Sequence, residues 1–322
     1  MKQILTLLPA LGALTMTGVG APLDRHDVSA TPALLAHVDV DALRSTSVGK
    51  AVLADADVQT KLGAVQAAFN FDFRTQLHGL TIYTTTDHAD EPVLIIYADF
   101  EPDRLIALAR AFPGFGAETN DARVVYSWTD EKKKNSDARI YASLTKNRLI
   151  FGKNGTVLAA ALDVIDGKAD SYINGKQLLE AAPGELIVAQ GLALKFKVDD
   201  NDAHAEIFKA SKSVRAQIGE QGDAVTAKVR FDAKDEDSAN QITAMVNGLI
   251  AFLRFQKDNP DLLKLANGIN IKQDGIAVTL NASAPSGDIV SLLQKGADKA
   301  REKHERRSDD ADTNAPAPGK NP

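Results

Sequence analysis

The sequence has no cysteine among its 322 residues. That absence excludes disulfides, thiolate metal sites, a thiol nucleophile and the acylated cysteine of a lipoprotein. Aromatic side chains are scarce too, with one tryptophan and five tyrosines, few for the stacking platforms of a sugar site. Beyond the first twenty residues the longest run without a charged side chain is the 16 residues Ser238–Leu253, short of the roughly 20 solidly apolar residues that a membrane-spanning helix needs. Neither sign of charge dominates. The net charge is −6, with acids and bases interspersed, which argues against a nucleic-acid partner and its basic face. No H-x-x-H or H-E-x-x-H pair, G-x-S-x-G elbow or complete phosphate loop occurs anywhere.

What is present begins at the N-terminus. Met1-Lys2 precedes an apolar run from Ile4 to Val19, the charged-then-apolar layout of a secretory signal peptide. Gly18, Gly20 and Ala21 supply the small residues that a signal peptidase requires. The cut is expected after Gly20, with Ala21 as the first mature residue and a periplasmic or extracellular destination. A disulfide-free exported chain must be stable on its core alone, and about 300 residues suffice for that.

Periodicity along the mature chain alternates between the two and 3.6 residues of strands and helices. Strands are expected at 33–40, 77–86, 92–100, 123–129 and 138–151. Helices are expected over 57–69, 102–112 and 156–165, with a short one opened by Asp41. After a boundary marked by Gly167, Gly175, Pro183 and Gly184 the order repeats. Strand material at 185–198 precedes a helix over 202–218 and a strand at 223–232. The longest helix follows Asp235, with Ile242, Met245, Val246, Leu249, Ile250 and Leu253 on one face. A short helix at 260–266, strands 269–273 and 276–284 about an Asp274-Gly275 turn, and a last helix from Ser286 complete it. The expected fold class is α+β: two similar halves, each a mostly antiparallel sheet with helices packed on one face. One continuous sheet is the favoured joining, because it removes an exposed edge from each half. The expected division is a signal peptide at 1–20, α+β units at 21–170 and 171–296, and a disordered charged, Pro-rich tail at 297–322. The basic residues from Lys295 to Arg307 are read as solvated.

The candidates for chemistry each have a plainer explanation. His37, Asp39 and Asp41 alternate onto one strand face and offer a metal three ligands; an exposed strand face with Asp41 capping the next helix accounts for them equally. His78 and His88 flank a hairpin, within reach of each other. Asp199–Asp202 departs from the calcium-loop pattern at Ala203 and reads as a helix start, as does Asp235–Asp237. Ser47…Lys50 and Ser143…Lys146 match S-x-x-K without its companion motifs. Gly152–Thr156 lacks the full phosphate-loop spacing. The triplets at Asn154 and Asn281 match the glycosylation sequon but carry little weight. Tyr126 and Trp128 alternate on one strand, where packing beneath a helix is the expected role. No catalytic, cofactor-binding or metal-ligating residue is therefore assigned, and no cofactor.

The segments Ala33–Arg44 (ALLAHVDVDALR), Ser238–Arg254 and Leu262–Pro285 resemble those of exported bacterial proteins built from a duplicated α+β unit. Those proteins have no agreed activity, so the resemblance implies location and architecture and carries over no functional residue. The functional expectation is a non-enzymatic envelope protein, without nucleic acid or a membrane span in the mature chain. It would bind an unidentified ligand or partner, apolar or lipid-like among the candidates, on the sheet face or in the cleft between halves. The alternative is a periplasmic hydrolase whose acid and base meet only in the folded chain.

Overall fold

The computed structural model describes residues 21–86, 88–120, 123–130, 138–145, 147–174, 184–192, 205–255 and 260–313. The leader at 1–20, the loop at 131–137, Lys146, Gly175, Pro183, the acidic turn Asp199–Asp202 and the chain after Thr313 lie outside those residues.

Strand β1 (Pro32–Asp39) ends at a carboxylate that turns the chain, because Asp39 accepts a hydrogen bond from the Ala42 amide at 2.8 Å and starts helix α1 (Val40–Ser45). Thr46 caps α2 (Ser47–Ala54) and Asp55 caps α3 (Ala56–Phe69) in the same way. Three short helices thus follow one another, each begun by a side chain that satisfies otherwise orphaned amides. Asn70 ends α3 in the left-handed region at φ 50°. Strands β2 (Leu77–Thr85) and β3 (Val93–Ala98) come next, then α4 (Pro102–Ala109), with proline where a helix tolerates it best. The first half closes with β4 (Gly116–Asn120), β5 (Arg123–Thr129), β6 (Arg139–Thr145), β7 (Arg148–Gly152) and α5 (Gly155–Ile165). The second half comprises β8 (Glu185–Leu192), α6 (Ala205–Ala210), β9 (Ser211–Gln221), β10 (Ala224–Ala233), α7 (Glu236–Phe255), α8 (Pro260–Asn267), β11 (Ile269–Asp274), β12 (Ala277–Pro285) and α9 (Ser286–Thr313).

The twelve strands among the described residues join one antiparallel sheet in the order β11-β12-β10-β9-β8-β1-β2-β3-β7-β6-β5-β4. Outward from the central β1–β8 pair the order is the same in both directions. β2, β3, β7 and β6 on one side answer β9, β10, β12 and β11 on the other. The expected α+β class, the antiparallel pairing and the similarity of the halves all hold, and the halves share one sheet. Strand β4, with β5, extends the first half beyond this repeat; neither β4 nor α2 was anticipated, and the single strand expected over 138–151 is two, β6 and β7, paired antiparallel.

One expected helix is corrected. Residues 202–218 were read as helical from Ile207, Val214 and Ile218, but α6 ends at Ala210 and β9 begins at Ser211. Within β9 the residues alternate, Val214, Ala216 and Ile218 facing one way and Ser213, Arg215 and Gln217 the other. Pairing with β8 and β10 on both sides fixes that two-residue period, whereas a seven-residue apolar spacing fits a helix as well.

Each half has its own core. In the first, Leu35, Tyr83, Val93, Ile95 and Ile150 pack against Val157, Leu158, Ala161 and Leu162 of α5. Gly152 makes this possible, since a Cβ there would lie 2.7 Å from the Leu158 amide nitrogen. In the second, Phe231, Ala233 and Val278 meet Ala239, Ile242, Val246 and Ile250 of α7, the stripe legible in the sequence. Burying each larger side chain contributes about 1.5–3 kcal/mol.

Polar ties join the halves across this sheet. Glu220 of β9 accepts from the amides of Ser47 at 2.7 Å and Val48 at 3.3 Å, at the start of α2. Burial alone would raise its pKa, but those donors outweigh burial and hold the carboxyl below the ordinary range. Farther out, α9 continues beyond residue 296, and Arg301 forks onto Asp55 and Asp57.

Two substitutions test these contacts. Gly152→Ala should cost about 1–3 kcal/mol by forcing β7 and α5 apart, read by urea denaturation. Because the Glu220 pKa is lowered in the folded state, its contribution is present above the unfolded value near 4.5 and is lost as pH falls through the folded value. Glu220→Gln should therefore cost about 1–2 kcal/mol at pH 7, and the gap to the parent should shrink as the pH falls below 4.5 and through the lowered folded value.

Candidate functional site

Side chains directly opposite each other on paired strands share a face, so the register sorts the whole sheet. One face of the central strands carries Leu35, His37, Thr81, Ile95 and Val188, all buried. The other carries Leu34, Ala36 and Val38 of β1, Leu80 and Ile82 of β2, Leu94 and Ile96 of β3, and Ile187 and Ala189 of β8. These are no less apolar, yet most are only half-buried and Ile82 is 37 % exposed, against 0 % for Leu35 and Ile95. The first face is sealed by α5 and by the segment around Val28. The second is left partly open by the described residues.

Continuing outward on the open face, the sheet runs beneath α4. Leu105, Ile106, Leu108 and Phe112 from that helix region, with Phe69 from α3, roof a cavity of about 230 Å³. Its floor is Tyr126 and Trp128 of β5, Ala142 and Leu144 of β6, and Leu149 and Phe151 of β7. None of these lining residues is ionisable in the physiological range. Phe112 stacks on Trp128 with centroids 5.7 Å apart, and Trp128 meets Phe151 edge-on at 6.4 Å. Tyr126 and Trp128 thus pack beneath a helix, as the sequence suggested, but that helix stands far enough away to leave space. By the same register α7 lies on this face in the second half, against Val229, Phe231 and Leu280. The open strip therefore lies between two helix-covered ends. On the opposite face of the second half, Gln217, Thr226, Lys228, Asn270 and Asn281 line a polar trough of about 510 Å³.

The sealed face holds the buried polar groups. Asp27, 2 % exposed, accepts from Arg148 Nε at 2.5 Å and from the Tyr97 hydroxyl at 2.9 Å. Burial raises the Asp27 pKa despite Arg148, and burial likewise raises Tyr97. His37 is buried, not on an exposed strand face as the sequence reading had it. Its Nδ1 meets Thr81 Oγ1 at 2.8 Å and its Nε2 meets the Ala21 carbonyl at 2.9 Å. Asp39 shares that face but caps α1, while Asp41 pairs with Arg44 and with His78. His37 and Asp39 both bind Ala21 while Asp41 pairs elsewhere, and no group of three potential metal ligands occurs among the described residues.

The other candidates separate similarly. His78 binds Asp41 and Asp99 at one end of β2, and His88 binds Glu91 past the other end, roughly 25 Å away along a nine-residue strand. They do not approach each other. The Ser47 amide meets Glu220 at the start of α2, and the Ser143 hydroxyl donates to the Val124 carbonyl at 2.8 Å. Asn154 caps α5 through the Val157 amide and donates to Glu91, so the glycine-rich turn serves a helix start. Asp235 caps α7 through the Ser238 amide. The acidic turn Asp199–Asp202 lies outside the described residues.

Sequence reasoning missed the apolar cavity because it counted aromatics over the whole chain. Twelve of the eighteen fall between Phe69 and Phe151, and that local density was the available signal.

No helix among the described residues is long and apolar enough to cross a membrane. No protein family and no curated protein matches the sequence. Among solved structures, crystal form III of TP0453 is similar over 85 % of this chain and 98 % of its own, with a TM-score of 0.46 and 8 % identity. Crystal form IV of the same protein is similar over 84 % of this chain and 95 % of its own, with a TM-score of 0.44 and 6 % identity.

Proposed function

We propose that this chain is an exported envelope protein that holds an apolar ligand, such as an acyl chain, against the open face of its sheet. One observation carries the reading: the central strands are apolar on both faces, but the described residues seal only one of them. Exposed apolar area of that extent is costly in water, and an apolar ligand would remove it. The cavity beneath α4 is smaller than the roughly 300–1,000 Å³ typical of a whole-ligand site. It suits the end of a chain whose remainder lies along Leu94, Ile96, Leu80 and Ile82. The absence of charged side chains from the cavity lining among the described residues favours a hydrocarbon over a carboxylate or phosphate at that end, since an unpaired buried charge is strongly disfavoured. Export rests on the leader-like residues 1–20.

Trp128 is the only tryptophan and lines the cavity, so its emission reports on occupancy alone. Fatty acids brominated along the chain should quench Trp128 saturably, while the unbrominated acids shift its emission without quenching. Leu149→Arg should weaken that binding at least about tenfold by placing a charge in the cavity, with the thermal melt as a check on folding. Emission indifferent to every chain length would sink the proposal.

A further inference from the structure

The segment that starts the described chain is held in a built seat. The Ala21 amide donates to Asp39 Oδ1 at 3.0 Å, and the Ala21 carbonyl accepts from His37 Nε2 at 2.9 Å. A carbonyl can only accept, so Nε2 carries the ring proton and Nδ1 accepts from the Thr81 hydroxyl. The Ala21 methyl packs over Gly79, where an added Cβ would come within 3.5 Å of it. Both side chains of the seat are buried, His37 at 3 % exposure and Asp39 at 6 %.

Asp39 is short of a counter-charge. Its hydrogen-bond partners among the described residues are two main-chain amides, Ala21 and Ala42, with no cationic side chain. His37 does not supply the charge, because burial pushes its pKa down and keeps the imidazole neutral. A buried carboxylate without a cation is costly. The residue already hydrogen-bonded to it is the one expected to become the mature N-terminus.

We propose that removal of residues 1–20 leaves the α-ammonium of Ala21 seated on the Asp39 carboxylate, so that leader cleavage supplies the cation this buried group lacks. The step is hydrolysis of the Gly20–Ala21 bond. One water is consumed, Gly20 leaves with a carboxylate, and Ala21 gains an ammonium group. A neutral amide donating to the carboxylate becomes an ammonium donating to it, so that both partners of the contact are charged. Ala21 is half-buried in this seat. This inference rests on the export reading but not on the apolar ligand.

The test has two arms. The full precursor is expressed in a bacterium, and the intact mass of the envelope fraction should correspond to a chain beginning at Ala21. A cut at another bond overturns this inference and leaves export standing; an uncut cytoplasmic chain overturns both. In the second arm, chains made to begin at Ala21 are compared with the free amine and with an acetylated one. Acetylation should lower the Tm by about 2–4 °C. It should have no such effect in Asp39→Asn, which keeps the cap on α1 but not the charge. Should that variant fail to fold, the amine's reaction with an acylating reagent at pH 7 should be several-fold slower in the folded parent than in urea. Equal melting of the free and acetylated parent chains, or equal reaction rates, overturns the seat.

Discussion

Strand β1 is hydrogen-bonded on both sides, to β2 within its own half and to β8 of the other half. Everything else in the molecule is placed by that strand. The β1–β8 pairing turns two five-strand repeats into one sheet and removes the edge each would expose. It also fixes which face each residue takes, since a slip of one position would exchange Leu35 with Leu34 and every neighbour with it. Where β1 ends, the Asp39 carboxylate turns the chain into α1 and holds Ala21 beneath the sheet. The strand also carries the contrast on which the functional reading depends, with Leu35 and His37 sealed and Leu34, Ala36 and Val38 partly open.

Much of this was legible in the sequence. The α7 stripe appeared at its helical spacing, the Asp274-Gly275 turn appeared between β11 and β12, and the repeated order of elements implied the duplicated sheet. What failed did so for physical reasons. Across α6 and β9, the spacing of Ile207, Val214 and Ile218 suits one helix, and only strand partners on both sides impose the two-residue period from Ser211 on. His37 was read as exposed because alternation says that a residue lies on one face and not which face is covered. The cover comes from residues around Val28 and from α5, remote in sequence. The cavity under α4 was illegible for a similar reason: its lining is assembled from α3, α4 and three strands.

The two faces divide the work. The sealed face carries the buried polar network of Asp27, Arg148 and Tyr97, the seat of Ala21 and, in the second half, a polar trough. The open face is apolar from β5 to β9 and is roofed at its ends by α4 and α7. Apolar side chains on α7 also point outward, with Phe252 62 % and Phe255 79 % exposed.

The central claim is therefore one of place, and photocrosslinking reads place directly. An acyl chain bearing a diazirine is bound to the purified protein and irradiated, and the labelled positions are mapped by peptide mass spectrometry. The account predicts labels on Ile82, Leu94, Ile96, Leu149 and Trp128, all on one face of β2, β3, β7 and β5. Labels confined to Phe252 and Phe255, or to the polar trough around Gln217 and Asn281, would contradict it.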